Sequence, residues 1–60
     1  MPISGKEMVK KFKKAGWMLD HVTGSHHVMK KNNKSVSIPV HANRSLKRGI
    51  EQSLLKYLEE

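Results

Sequence analysis

Apolar residues near the start of the chain recur at the spacing of one helical face: Met8, Val9, Phe12 and Ala15. Most of the lysines of this segment fall on the other side of the same helix. Ser4, followed three residues later by Glu7, has the pattern of a capping box. Gly16 supplies the positive φ that often follows a helix. The pattern predicts a first helix that begins after Ser4 and ends near Ala15.

The period changes to that of β-strands in the middle of the chain. Trp17 and Leu19 alternate with Met18 and Asp20 over residues 17–22, residues 25–31 are expected to form a second strand, and residues 35–40 alternate cleanly between apolar and polar. Thr23-Gly24-Ser25 and Asn32-Asn33 lie between these runs and have the composition of tight turns. We therefore predict an antiparallel meander of three strands. Pro39 has no N–H to donate, which places the third strand at an edge of the sheet or near its own end.

Helical spacing returns in the last third of the chain, at Leu46, Ile50, Leu54 and Leu58. Asn43 or Ser45 is expected to cap this second helix. Gly49 costs about 1 kcal/mol relative to alanine inside a helix, so it is expected to mark close packing or the approach of a ligand. We assign Met8, Phe12, Leu46, Ile50 and Leu54 to the core, and Trp17 to the core rather than to base stacking.

The predicted order α-β-β-β-α defines an α+β fold, with two helices on one face of a three-stranded antiparallel sheet and the other face open. Sixty residues suffice for a single domain, residues 1–60. The chain has no cysteine, and its N-terminus lacks the apolar core of a signal peptide. No apolar run approaches the roughly 20 residues that span a bilayer. We expect a cytoplasmic protein with no membrane partner.

The charge of the chain favours an anionic partner. Twelve lysines and arginines stand against five acidic residues, a formal net charge of +7 with a pI near 10.1. Such a surface attracts the phosphates of nucleic acid. It would also attract an acidic protein or an anionic membrane surface. The cations that we expect to contact RNA are Lys6, Lys10, Lys30, Arg44, Lys47 and Arg48. For the lysines of the first helix, the alternative is an ordinary solvated face.

Four histidines, His21, His26, His27 and His41, are many for a chain of this length. Histidine exchanges protons near neutral pH, because its unperturbed pKa is about 6.5. RNA cleavage requires such a proton acceptor or donor, with cations to stabilise the phosphorane. His26 and His27 are consecutive on a strand and point to opposite faces, so they are poorly placed to share a metal ion, and we expect no metal. The pattern leaves open which of the two faces the helices, and a purely structural role for both remains an alternative.

Several segments together resemble the HicA (YcfA-like) family of prokaryotic toxins. They are a first helix that ends in GW, then GSHHVM, SIPVH and LKRGIEQSLLK, in family-like order and spacing. The resemblance implies a fold like that of double-stranded-RNA-binding domains. It also implies the toxin of a type II toxin–antitoxin system, a ribonuclease (mRNA interferase) that needs no metal or cofactor. His26 would then be the catalytic histidine, with His27 as second choice, and a HicB-type antitoxin would cover the active surface.

The resemblance does not settle the mechanism. His41 is a candidate for a second proton-transfer group only if the fold brings it near His26. The fold reads double-stranded RNA by shape, whereas messages are largely single-stranded, so the fold does not dictate the substrate. Two alternatives remain, a non-catalytic RNA-binding module and an interaction domain for an acidic protein.

Overall fold

A computed structural model describes residues 3–42 and 44–59 of the chain. The elements are helix α1 (Gly5–Lys14), strands β1 (Met18–Thr23), β2 (His26–Lys31) and β3 (Lys34–Pro39), and helix α2 (Arg48–Leu58). The strands form one antiparallel sheet in the order β1-β2-β3. The predicted α-β-β-β-α order and α+β fold are confirmed.

Helix α1 begins and ends as its sequence predicts. Oγ of Ser4 accepts a hydrogen bond from the backbone N–H of Glu7 at 3.2 Å, and Oε1 of Glu7 accepts one from the N–H of Ser4 at 3.1 Å. The capping box is therefore complete. At the other end, Gly16 has a φ of 98°. Nζ of Lys31 donates to the carbonyl oxygen of Ala15 at 2.9 Å, which satisfies one of the free carbonyls of the last turn.

The first strand begins one residue later than predicted. Trp17 lies before β1 and is buried beneath α1, where its ring meets that of Phe12 edge-to-face at 5.1 Å between centroids. Its other neighbour is Tyr57 of α2, at 6.1 Å. The strand that was predicted to start at Trp17 therefore starts at Met18. Trp17 itself is a core residue that contacts both helices. This contact confirms the assignment of Trp17 to the core.

Both helices pack against the same face of the sheet. Met29, Val36 and Ile38 are buried on that face, and they form one cluster with residues from α1, from α2 and from the segments next to them. The other members of this core are Met8, Val9, Phe12, Trp17, Leu46 and Leu54. Because side chains alternate along a strand, His26, Val28 and Lys30 lie on the opposite, open face of β2.

Helix α2 differs from its prediction at its start. Lys47 is the N-cap, and its side chain makes no capping hydrogen bond. Ser45 does not cap the helix, because it forms an isolated antiparallel bridge with Ser4. The other predicted cap, Asn43, lies outside the described residues. Ile50, predicted in the core, is 38% exposed, since the buried stripe of the helix runs through Leu54 instead.

The close packing expected at Gly49 is found at a different glycine. A Cβ on Gly49 would have no other atom within 4 Å, whereas one on Gly5 would overlap the carbonyl oxygen of Pro39 and lie 2.9 Å from Cα of Val40. Gly5 thus allows the start of α1 to rest directly on the end of β3. Within residues 3–42 and 44–59, neither helix is long and apolar enough to cross a membrane.

Candidate active site

His26 is the first residue of β2 and lies on the open face of the sheet. It pairs with Thr23 of β1 and with Pro39 of β3. Its side chain is exposed, and its Nδ1 lies 3.2 Å from Oγ of Ser37, within hydrogen-bond distance. Ser37 pairs with Val28 in the next row of the same face. This contact restrains the imidazole and leaves Nε2, on the far side of the ring, for another partner.

A pocket of about 340 Å³ opens beside His26, between the end of the sheet and the start of α2. Its polar side chains include His26, His41, Arg44 and Lys47. Pro39 and Ile50 contribute apolar walls, which explains why Ile50 is exposed despite its helical spacing. None of the residues that line the pocket is acidic, so its charged groups favour an anion. The volume falls within the range of about 300–1,000 Å³ that is typical of small-molecule sites.

His27 points to the other face of β2, toward the helices. It pairs with Ile38, which is fully buried, and its ring is partly buried. Nδ1 of His27 is buried and has no hydrogen-bond partner within the described part of the chain. The ring lines a separate groove of about 400 Å³ between α1 and the sheet. That groove is lined by Lys6, Lys10 and Lys13 of α1 and by Val9, Leu19 and Val40.

The structure separates the six cations that were predicted to contact RNA. Arg44 and Lys47 line the pocket with His26, and Arg48 follows them in the first turn of α2. Lys6 and Lys10 line the groove with His27 instead. Helical spacing places these two lysines on one side of α1 but cannot indicate which histidine they accompany.

A third polar group lies on the open face of β1, at an irregularity in the pairing next to Asp20. The Asp20 carboxylate is 2.6 Å from Nδ1 of His21 and 3.6 Å from Nζ of Lys30. The hydrogen bond with His21, assisted by the positive charge of Lys30, holds the pKa of Asp20 below its ordinary value. Lys30, the sixth predicted contact, is therefore paired with an acid.

Sequence reasoning missed two contributors to the site. Ser37 precedes Ile38, the residue of β3 that pairs with His27. Its contact with His26 therefore depends on the register between the two strands. The strict alternation of β3 was the available signal, since it places Ser37 on the polar face. Ile50 was missed because its spacing fits a core residue. In residues 3–42 and 44–59, no three histidine, aspartate or glutamate side chains lie close enough to hold a metal ion.

Comparison with known proteins identifies the family. The sequence model of the HicA toxin of bacterial toxin–antitoxin systems matches residues 5–59, from the first residue of α1 to the C-cap of α2. The chain therefore belongs to the HicA toxin family, as the sequence motifs predicted, and membership implies an antitoxin partner. No curated protein matches the chain.

Proposed function

We propose that the chain is an endoribonuclease that cleaves messenger RNA, without a metal, by proton transfer at His26. One observation carries the proposal. The exposed His26 ring, next to Ser37 Oγ, lines a pocket that also contains the cations Arg44 and Lys47. An imidazole exchanges protons near neutral pH, and cations stabilise the charge that develops on a phosphate during its displacement. Both requirements of RNA cleavage thus meet in one pocket.

The path of the RNA follows from the distribution of charge. Arg44 and Lys47 would hold the scissile phosphate, and Arg48 would contact the next phosphate along the strand. At the start of α2, the first backbone N–H groups lack a side-chain cap, and they would add to the attraction of these side chains for phosphate. Lys30, Lys6 and Lys10 lie farther from the pocket. They would attract RNA over a longer range rather than position it.

Membership in the family implies an antitoxin, and we propose that it is of the HicB type and covers the His26 pocket. A protein that binds only the folded toxin also stabilises it by mass action. This contribution matters for a chain of 60 residues, because domains of this size bury only about 60% of the surface of the unfolded chain. Since messages are its substrate, the toxin would act in the cytoplasm.

The proposal is tested by incubating the purified chain with end-labelled messenger RNA in EDTA and separating the products on a denaturing gel. The wild type should produce fragments. His26→Gln should lose cleavage by about 10²–10⁴-fold, the usual contribution of a general acid or base. Circular dichroism should be unchanged, because the His26 side chain is exposed.

His27→Gln is the matched control, since it removes an imidazole one residue away on the other face of β2. It should retain cleavage within a few-fold once it is confirmed to be folded. If His27→Gln abolishes cleavage and His26→Gln does not, the catalytic assignment is wrong. If the wild type shifts intact RNA in a native gel but never cuts it, the chain is an RNA-binding module rather than a nuclease.

A further inference from the structure

A second imidazole, that of His41, reaches the His26 pocket because the pairing of β2 and β3 continues past the end of β3. The backbone N–H of Val40 donates to the carbonyl oxygen of Ser25 at 2.6 Å, one residue beyond the pair formed by His26 and Pro39. Alternation then places Val40 on the helix side, where it lines the groove of His27. His41 falls on the other side, with Pro39 and His26.

This register makes His41 and His26 diagonal neighbours across the two strands. Such neighbours have Cα atoms about 7–8 Å apart, within reach of long side chains. Both imidazoles line the same pocket. The backbone N–H of Arg44 donates to the carbonyl oxygen of His41 at 2.9 Å, and Ala42 has a φ of 50°. This hydrogen bond ties His41 to Arg44, which lines the same pocket.

We propose that His41 is the second catalytic residue and performs the proton transfer that His26 does not. In the reaction, the ribose 2′-oxygen attacks phosphorus and the bond from phosphorus to the 5′-oxygen breaks. One imidazole takes the proton of the 2′-hydroxyl, and the other, protonated, gives its proton to the departing 5′-oxygen. The products are a 2′,3′-cyclic phosphate and a 5′-hydroxyl. This assignment rests on the proposed ribonuclease function.

His21 is the competing residue, because it also lies on the open face of the sheet. However, it belongs to β1, at the edge away from Arg44 and Lys47, and it does not line the pocket. Its Nδ1 is already engaged by Asp20 at 2.6 Å. His21→Gln is therefore the matched control for His41→Gln, since both substitutions remove an exposed imidazole.

The test compares the rate of RNA cleavage across pH for the wild type, His41→Gln and His21→Gln. The wild type should give a bell-shaped profile, since one imidazole must be neutral and the other protonated. His41→Gln should lose about 10²–10⁴-fold in kcat together with one limb of the bell. A double variant that also carries His26→Gln should be about as slow as the slower single variant, because residues that act as a unit are not additive.

A substrate with sulfur in place of the bridging 5′-oxygen assigns the roles, because a thiolate leaves without needing a proton. The variant that lacks the acid should recover most of its rate on this substrate, and the variant that lacks the base should not. The proposal is overturned if His41→Gln keeps the wild-type rate and both limbs of the pH–rate profile. It is also overturned if His21→Gln, rather than His41→Gln, loses a limb of that profile. A wild type that does not cut RNA at all would instead refute the proposed function.

Discussion

The two sides of strand β2 carry neighbouring histidines in opposite surroundings. On the open side, His26 is exposed, contacts a serine hydroxyl and shares a pocket with a second imidazole, an arginine and a lysine. On the helix side, His27 is partly buried, with one ring nitrogen that has no hydrogen-bond partner in the described structure. Its groove also has cations, but it contains no second imidazole among the described residues.

The comparison shows that adjacency in sequence says little about chemistry on a strand. Because successive side chains point to opposite faces, one of the two imidazoles lies beside a second imidazole, an arginine and a lysine. The other packs beside the core. Positive charge is common to both sides, so charge alone does not distinguish the side that we propose to be catalytic from the other. The contact with a serine hydroxyl and the presence of a second imidazole distinguish the two sides.

After the loss of either imidazole of the pocket, the largest effect is expected from removing its cations. Arg44→Ala combined with Lys47→Ala should lower kcat/KM for RNA about 10- to 100-fold, because charge-assisted hydrogen bonds to phosphate are among the strongest. The salt dependence of binding should also weaken, by about 0.7 in the log–log slope for each phosphate of single-stranded RNA that is no longer neutralised. Cleavage rates and filter binding across a salt series measure both effects.

Lys6→Ala combined with Lys10→Ala is the matched control, since it also removes two positive charges, but from the groove of His27. This variant should lose only a few-fold in kcat/KM, through weaker long-range attraction. Equal reductions in the two double variants would mean that the RNA uses both sides of the sheet, and the contrast between them would fail.

A smaller effect, on stability, is expected at the two glycines of the helices. Gly5→Ala should lower the free energy of unfolding by about 1–3 kcal/mol, since its Cβ would overlap the backbone of Pro39. Gly49→Ala should instead raise it by up to about 1 kcal/mol, because alanine is the better helix former at a site with open space. Urea denaturation measures both. If Gly49→Ala is more stable yet cleaves RNA poorly, the backbone at Gly49 approaches the RNA.

The smallest effect is expected from Ser37→Ala, which removes the hydroxyl near Nδ1 of His26. The imidazole would keep its place but lose a restraint on its orientation, so kcat should fall a few-fold with little change in KM. Ser35→Ala, one row along the same exposed face of β3, is the control and should have no effect. A change in KM alone would indicate that Ser37 contacts the RNA rather than positioning His26.

The local signals of the sequence predicted most of the fold. The capping box at Ser4, the positive φ at Gly16 and the alternation of β3 each act over a few residues, so the pattern alone reveals them. The start of α2 was predicted less well. Ser45 has the composition of a cap, but its backbone pairs with Ser4, some forty residues earlier, and such a long-range contact leaves no local signature.

The sequence suggested residues for the candidate site but not how the fold groups them. The motifs indicated His26, and charge indicated Arg44 and Lys47, yet which cations accompany which histidine depends on the register of the strands and the packing of α1. The position of His41 depends on two hydrogen bonds beyond the end of β3, from Val40 to Ser25 and from Arg44 to His41. Ile50 was assigned to the core because its spacing fits the apolar face of the helix. That spacing does not show that part of the apolar face borders a pocket rather than the core.

The most direct test of the central claim follows the imidazole signals by NMR as the chain is titrated with RNA. A 2′-O-methyl oligonucleotide is the suitable probe, because it lacks the attacking hydroxyl and cannot be cleaved. The ring signals of His26 and His41 should shift together and saturate with the same affinity, while those of His27 stay nearly unchanged. Shifts at His27 with no change at His26 would contradict the account.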